Sequence, residues 1–183
     1  KRLEALQTII EPINQYLDDE VKENTPNRFI KAFDELTKGY SMDVEAIIGK
    51  ALFDIDSSYS EMIVVDKIDF NSLCQHHLLP FVGKCSIGYI PEKKILGLSK
   101  FARVVEAFSL RLSLQEKLTQ QIAEALQNSL KAKGVIVYIE STHSCMCLRG
   151  VKSKGAITKT VYTTGCFKDV SEFKSDFFRM VKD

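Results

Sequence analysis

Two stretches rich in β-branched residues, EMIVVDKIDF at 61–70 and, to a lesser degree, GKCSIGYIP at 83–91, bracket the run NSLCQHHLLPFV. Such side chains favour extended backbone, so the pair predicts two strands with the Cys/His run at their junction. That junction constrains the chain most, because it sets its most reactive side chains, Cys74, His76 and His77, at a strand turn in apolar surroundings. The third histidine, His143, lies in a second run, STHSCMCLRG at 141–150, beside Cys145 and Cys147 and directly after the apolar strand VIVYIES. Whether the two runs meet in space decides what the chain can do.

The remainder alternates helical and extended patterns. RLEALQTIIEPINQYL at 2–17 repeats apolar residues at helical spacing, with Pro12 as a break. In NTPNRFIKAFDELTKGY, Thr25 is placed to cap, Pro26 suits a first turn, and Phe29, Ala32, Phe33 and Leu36 line one face before Gly39 stops the helix. After GLSK, helices are expected over 101–110 and 114–130, the second amphipathic through Leu118, Ile122, Ala125 and Leu126 and ended by Gly134. A strand over 156–164 and a helix over 171–181 close the chain. Two strands, two helices and two strands, with helices at both ends, make an α+β domain. Its expected division is a helical region at 1–57 and a ββααββ unit at 58–183.

Charge and hydropathy exclude several classes. Lys and Arg number 25 against 24 Asp and Glu, so no bulk positive field marks a nucleic-acid binder, and an anionic ligand must be met by locally placed bases. No apolar run reaches the roughly 18 residues of a bilayer crossing, and the start KRLEALQ does not resemble a secretory signal. A cytoplasmic protein without membrane or nucleic-acid partners is expected. The missing initiator methionine points to a native segment before Lys1. Five cysteines, an odd number without small-scaffold spacing, suit free thiols or metal ligands better than disulfides.

Cys74 and His77 are spaced so that one backbone turn brings both to a single metal ion. If the strand at 135–141 stays extended, His143, Cys145 and Cys147 project from one face, and one of them supplies a third ligand. Adjacent His76 and His77 diverge in most conformations, which frees one of the two for proton transfer or substrate contact. Three ligands with a position left for water describe a catalytic site, whereas a fourth such as Cys147 would close a structural one. Cys85 and Cys166 read as ordinary buried small side chains.

Basic residues recur in pairs. Ser99 and Lys100 sit at an expected helix N-terminus, where backbone N–H groups favour phosphate, and Arg103 follows one turn later. Arg149 trails the second Cys/His run, and Arg28 with Lys31 makes a further pair. Together they could supply the local field for a polyanion. Gln115 and Glu116 open the long helix; an acid there often only offsets the dipole, but amide and carboxylate also suit the edge of a heterocycle.

The segments CQHHLLPFVGKCSIGYIPEKKILGLSKFARVVEAFS, RLSLQEKLTQQIAEAL and HSCMCLRGV closely resemble, in order and spacing, the successive signatures of the GTP cyclohydrolase I family. The resemblance spans Thr25 to Phe167. It implies the tunnelling fold, in which antiparallel sheets of several subunits close into a barrel with helices outside, and a homodecamer of two pentamers with active sites between subunits. It implies hydrolysis of GTP to 7,8-dihydroneopterin triphosphate and formate, the opening step of folate and pterin biosynthesis. It further implies one Zn2+ per subunit on Cys74, His77 and Cys145, with Cys147 outside the shell and His76 and His143 catalytic. Ser99 would stand near the ribose chemistry, and Gln115 with Glu116 would recognise guanine. Lys100, Arg103 and Arg149 would hold the triphosphate, helped by Arg28 and Lys31 of a neighbouring subunit.

Two positions depart from the family pattern. Gln75 stands where a glutamate is usual, and Leu110 where an arginine is. The NADPH-dependent nitrile reductases of deazaguanine biosynthesis share the implied fold but have no need of the zinc and triphosphate residues. A zinc-stabilised binding module without turnover is the alternative from another class.

Overall fold

The structure, a computed structural model, describes residues 1–56 and 58–182. In chain order, α1 (Arg2–Ile10) runs into a 3-10 turn at Glu11–Tyr16, and α2 (Asp19–Leu36) into another at Lys38–Ser41. Then come α3 (Val44–Gly49), β1 (Leu52–Asp54), β2 (Ile63–Cys74), β3 (Pro80–Ile90), β4 (Lys94–Leu96), α4 (Leu98–Ser109), β5 (Leu112–Ser113) and α5 (Gln115–Leu130). The chain ends with β6 (Gly134–His143), α6 (Ser144–Cys147), β7 (Thr158–Thr163), α7 (Cys166–Asp169) and α8 (Ser171–Val181). No helix among the described residues is long and apolar enough to cross a membrane.

One sheet organises these elements, in the order β5-β2-β3-β6-β7, and β1 pairs with β4 in a separate two-stranded ribbon. The β2–β3, β3–β6 and β6–β7 pairs are antiparallel, and β5 runs parallel to the last residues of β2. Strand alternation gives the sheet two apolar faces. Cys85, Ile87, Tyr89, Val135, Val137 and Ile139 face α4 and α5, against Phe101, Val104, Leu118 and Ile122. The opposite face of β6, at Ile136 and Tyr138, meets Phe167 of α7 and Phe177 of α8. Being buried on both sides explains why the sequence of β6 reads as a continuous apolar run. Ile48 of α3 and Ala51 join the α4/α5 side of the core.

The ββααββ order, the break at Pro12 and the closing helix at 171–181 are as the sequence predicts. Three local expectations need correction. Asp18, not Thr25, caps α2, its carboxylate accepting from the Val21 N–H at 2.9 Å. Asp19 and Glu20 occupy the first turn, where the helix dipole favours acids. Pro26 therefore lies buried in the helix interior, at the cost of the backbone bond its missing N–H would have made to residue 22. At the end of α5, Lys131 adopts the left-handed cap (φ 50°), so the helix stops before Gly134. Leu110, in place of the family arginine, is buried behind α4 rather than presented at the surface. Ser57, at the expected domain boundary, and Asp183 lie outside the described residues.

Cys85 is fully buried and burial drives its thiol pKa far upward, in keeping with a packing role. Gly88 of β3 shows how closely α8 is seated: a Cβ there would come within 2.6 Å of the Phe177 ring and 2.9 Å of Ile136 Cγ2. Gly88→Ala is expected to lower unfolding free energy by about 1–3 kcal/mol through overpacking. Urea denaturation followed by circular dichroism measures it, and an unchanged midpoint would contradict this seating of α8.

Candidate metal centre and its surroundings

The hairpin between β2 and β3 builds the first half of the site. The β2 strand extends to Cys74, and the next residues turn sharply: the His77 and Leu78 N–H groups both donate to the Cys74 carbonyl, at 3.3 and 2.8 Å, and the Cys74 N–H donates to Leu79 O at 2.8 Å. Leu78 takes a left-handed φ of 55° to complete the turn. The result sets Cys74 Sγ 3.9 Å from His77 Nδ1. The neighbouring β5 strand braces the turn, with the Gln75 N–H bonded to Ser113 O at 3.1 Å.

The second half arrives through sheet register. The β3–β6 ladder pairs Phe81 with His143, so the end of β6 lies beside the start of β3 and hence beside the hairpin. Beyond His143 the chain does not stay extended. Ser144–Cys147 forms a helical turn, closed by the Leu148 N–H on Ser144 O at 3.0 Å. The expected projection of His143, Cys145 and Cys147 from one strand face is thereby corrected. Residues two apart on a helix point about 200° apart, so Cys145 turns toward the hairpin and Cys147 away, its thiol donating to Ser153 O at 3.4 Å.

Ligand atoms of Cys74, His77 and Cys145 all lie within 4.8 Å of one another. Bond lengths of about 2.0–2.3 Å imply ligand separations of roughly 3.5–4 Å around a tetrahedral ion, so small side-chain adjustments suffice to bind one. Two thiols and an imidazole are a donor set that suits zinc. Burial and the adjacent Cys74 thiol push the Cys145 thiol pKa up. A cation among these groups would reverse that tendency by stabilising the thiolates.

Around this group the two remaining histidines differ. His76 is exposed, its ring edge-on to that of His77 at 6.2 Å, so the two imidazoles diverge as expected. His143 is half-buried and stacked on Phe81, with centroids 4.5 Å apart and planes within 6°. Burial lowers its pKa, opposed by the negative field of Glu116. The Nε2 of His143 is 2.9 Å from Gln115 Oε1. Gln115 is only 1% exposed, its amide taken up by Ile139, Thr158, Thr160, Ser141 and His143. Its side chain thus cannot read a heterocycle's edge while these bonds hold, and of the pair only Glu116 is exposed.

The expected anion-binding residues are distributed. Ser99 and Lys100 occupy the first turn of α4, and Arg103 is exposed on the same helix. Arg149 reaches the metal hairpin, its Nη1 3.5 Å from His77 Nε2. Arg28 and Lys31 are carried by α2, where Arg28 pairs with Glu20 at 2.5 Å and Lys31 is exposed. Gln75 leaves its side chain exposed beside the hairpin. Sequence reasoning missed Phe81 and Ser141, which hold His143 and Gln115; only the β3–β6 register reveals them.

The chain matches the profile of the GTP cyclohydrolase I family over residues 3–182. It is 46% identical over 178 residues to GTP cyclohydrolase 1 of Dictyostelium discoideum, covering 97% of this chain and 76% of that protein. It is 49% identical over 157 residues to GTP cyclohydrolase 1 of Chlorobaculum tepidum, covering 86% of this chain and 69% of that protein. For GTP cyclohydrolase 1 of Campylobacter jejuni subsp. jejuni serotype O:6, identity is 44% over 178 residues, covering 97% and 93%. A crystal structure of the apo form of the archaeosine synthase QueF-Like aligns with 57% of this chain and 93% of that one, at 19% identity and a TM-score of 0.48, too distant to bear on function. With the Cys/His runs joined in space and the match running almost from end to end, this chain belongs to the GTP cyclohydrolase I family.

Proposed function

We propose that the chain hydrolyses GTP to 7,8-dihydroneopterin triphosphate and formate, with zinc held by Cys74, His77 and Cys145. The observation that carries this reading is the convergence of those three donors with His143, within the field of Glu116, at one end of the sheet. Bound there, a zinc ion would supply Lewis acidity and a nucleophile near neutral pH. Cys147, turned toward Ser153, is outside the donor group, which argues against a closed structural site.

The chain's own residues divide the remaining work. Glu116, exposed at the N-terminus of α5, accepts from the N1–H and 2-amino groups of guanine. His143 gives a proton to the ring nitrogen beside carbon 8, which makes that carbon electrophilic, and recovers one as the ring opens. His76, free of the donor group, assists opening of the ribose, and Ser99 contacts the sugar. Lys100, Arg103 and Arg149 anchor the triphosphate, joined by Arg28 and Lys31 of a neighbouring subunit. The triphosphate takes no part in the chemistry; its binding energy fixes the base against the reacting groups.

Assembly into a barrel of several subunits, a homodecamer of two pentamers, is part of this proposal. Its support is the sheet itself, which has two open edges among the described residues. One is β7, paired only with β6; the other is β2, covered by β5 only at Leu73 and Cys74. Unpaired edges invite further strands, and head-to-tail pairing of two different edges generates a ring. Val161 of β7, at 51% exposed, is apolar surface that such pairing would cover. Five free thiols support a reducing, cytoplasmic setting.

Three measurements test the proposal. Purified protein incubated with GTP should yield a product that fluoresces as a pterin after oxidation; a strong chelator should abolish it and added zinc restore it. Persistent activity in the metal-stripped protein would exclude the metal reading. His143→Ala should retain one zinc per chain by elemental analysis while turnover falls by roughly 10²–10⁴-fold; formate release at the wild-type rate would refute the role given to His143. Light scattering should report a mass about ten times that of one chain, and a stable monomer that turns over GTP would refute a site shared between subunits.

A further inference from the structure

We propose that Gln115 is a positioning residue for His143: its amide oxygen keeps one imidazole proton on Nε2, so that Nδ1 is the nitrogen through which the charged ring gives a proton to substrate and the neutral ring takes one back. The inference rests on the catalytic reading of His143 given above, and it differs from a direct guanine contact by the Gln115 side chain.

Donor and acceptor accounting determines which way the amide points. Gln115 Nε2 lies 3.1 Å from each of the carbonyl oxygens of Ile139 and Thr158, and 3.1 Å from Thr160 Oγ1. Backbone carbonyls only accept, so the atom facing them must be the amide nitrogen; the reversed amide would set three oxygens against one another. The hydroxyls agree with this choice. Thr119 donates to the main-chain carbonyl of Gln115 at 2.7 Å, and its oxygen is 2.7 Å from Thr160 Oγ1. The Thr160 proton is thus directed to Thr119, and its lone pairs remain for Gln115.

The amide oxygen must then face β6. Ser141 Oγ donates to Gln115 Oε1 at 2.6 Å, and His143 Nε2 stands 2.9 Å from the same oxygen. A carbonyl oxygen carries no proton, so the hydrogen in the second contact belongs to the imidazole. In the neutral ring that assignment makes Nδ1 the free acceptor. Water does not compete, since Gln115 is 1% exposed and Ser141 3%. Stacking on Phe81 at 4.5 Å holds the plane of the ring, so both its tilt and its tautomer are set from the protein side.

The geometry also accounts for the residue type. Glutamate would put a carboxylate oxygen against the Ile139 and Thr158 carbonyls, and asparagine is one methylene too short to span from α5 to both β7 and His143. The anchor therefore links three elements: α5 through Gln115 and Thr119, β6 through Ile139, Ser141 and His143, and β7 through Thr158 and Thr160.

Two readouts on zinc-loaded protein test the inference. Magic-angle-spinning 15N spectra of histidine-labelled protein, recorded where His143 is neutral and assigned by the signals lost in His143→Ala, should show a protonated Nε2 and a bare Nδ1. Gln115→Leu removes the acceptor; kcat should fall on the order of 10²-fold while KM for GTP stays within about threefold. A protonated Nδ1 in the wild-type spectrum overturns the inference, and so does a Gln115→Leu variant that keeps kcat and raises KM, the pattern of direct substrate contact. If Gln115→Leu does not fold, the wild-type spectrum decides alone. Unimpaired turnover in His143→Ala would instead overturn the catalytic reading of His143, and the tautomer would still be read independently.

Discussion

The site depends on β3 pairing with β2 on one side and β6 on the other. Antiparallel ladders bring the end of β2, the start of β3 and the end of β6 to a common border of the sheet. Cys74 terminates β2 and His143 terminates β6, so the register of two ladders brings together residues about seventy positions apart. A slip of one residue in either ladder would turn every side chain of that strand to the opposite face. In the β3–β6 ladder it would carry Phe81 away from His143 and break the stacking contact.

That register is enforced by packing rather than by the site. The sheet is apolar on both faces, with α4 and α5 on one and α7 and α8 on the other. A slip would therefore expose or clash buried side chains across the whole strand. Gly88 under Phe177 and Cys85 in the opposite layer are examples of residues that tolerate one register only. Stability thus supplies the precision that the ligand group and the His143–Gln115 contact require, while the chemical residues themselves sit at strand ends and helix starts where the backbone turns.

The polar network under His143 interrupts this apolar core. Gln115, Thr119, Ser141 and Thr160 are buried or half-buried and hydrogen-bonded to one another or to backbone carbonyls. Such a network is costly if half satisfied and rigid when complete. It converts the first turn of α5 into a support for β6 and β7, and leaves the carboxylate of Glu116 exposed. One dipeptide at a helix start thereby serves two purposes, with Gln115 facing inward and Glu116 outward.

From the sequence alone, the one-turn spacing of Cys74 and His77, the strand–turn–strand pattern around them, the α5 periodicity and the closing helix were legible, because each is a local relation among a few neighbouring residues. Competing local signals were harder to read: Asp18 and Thr25 are both good caps, and only the longer helix of the fold selects the first. Non-local relations were not legible at all. Nothing in STHSCMC distinguishes an extended run from the helical turn that brings Cys145 in and sends Cys147 out, and nothing in SLQEKL reveals that Gln115 is buried against carbonyls of β6 and β7. The sequence by itself determined which side chains were available and how each short segment bends. The tertiary structure decided which of them meet, because register and burial are properties of strands and helices packed together, summed over many contacts that no single segment contains.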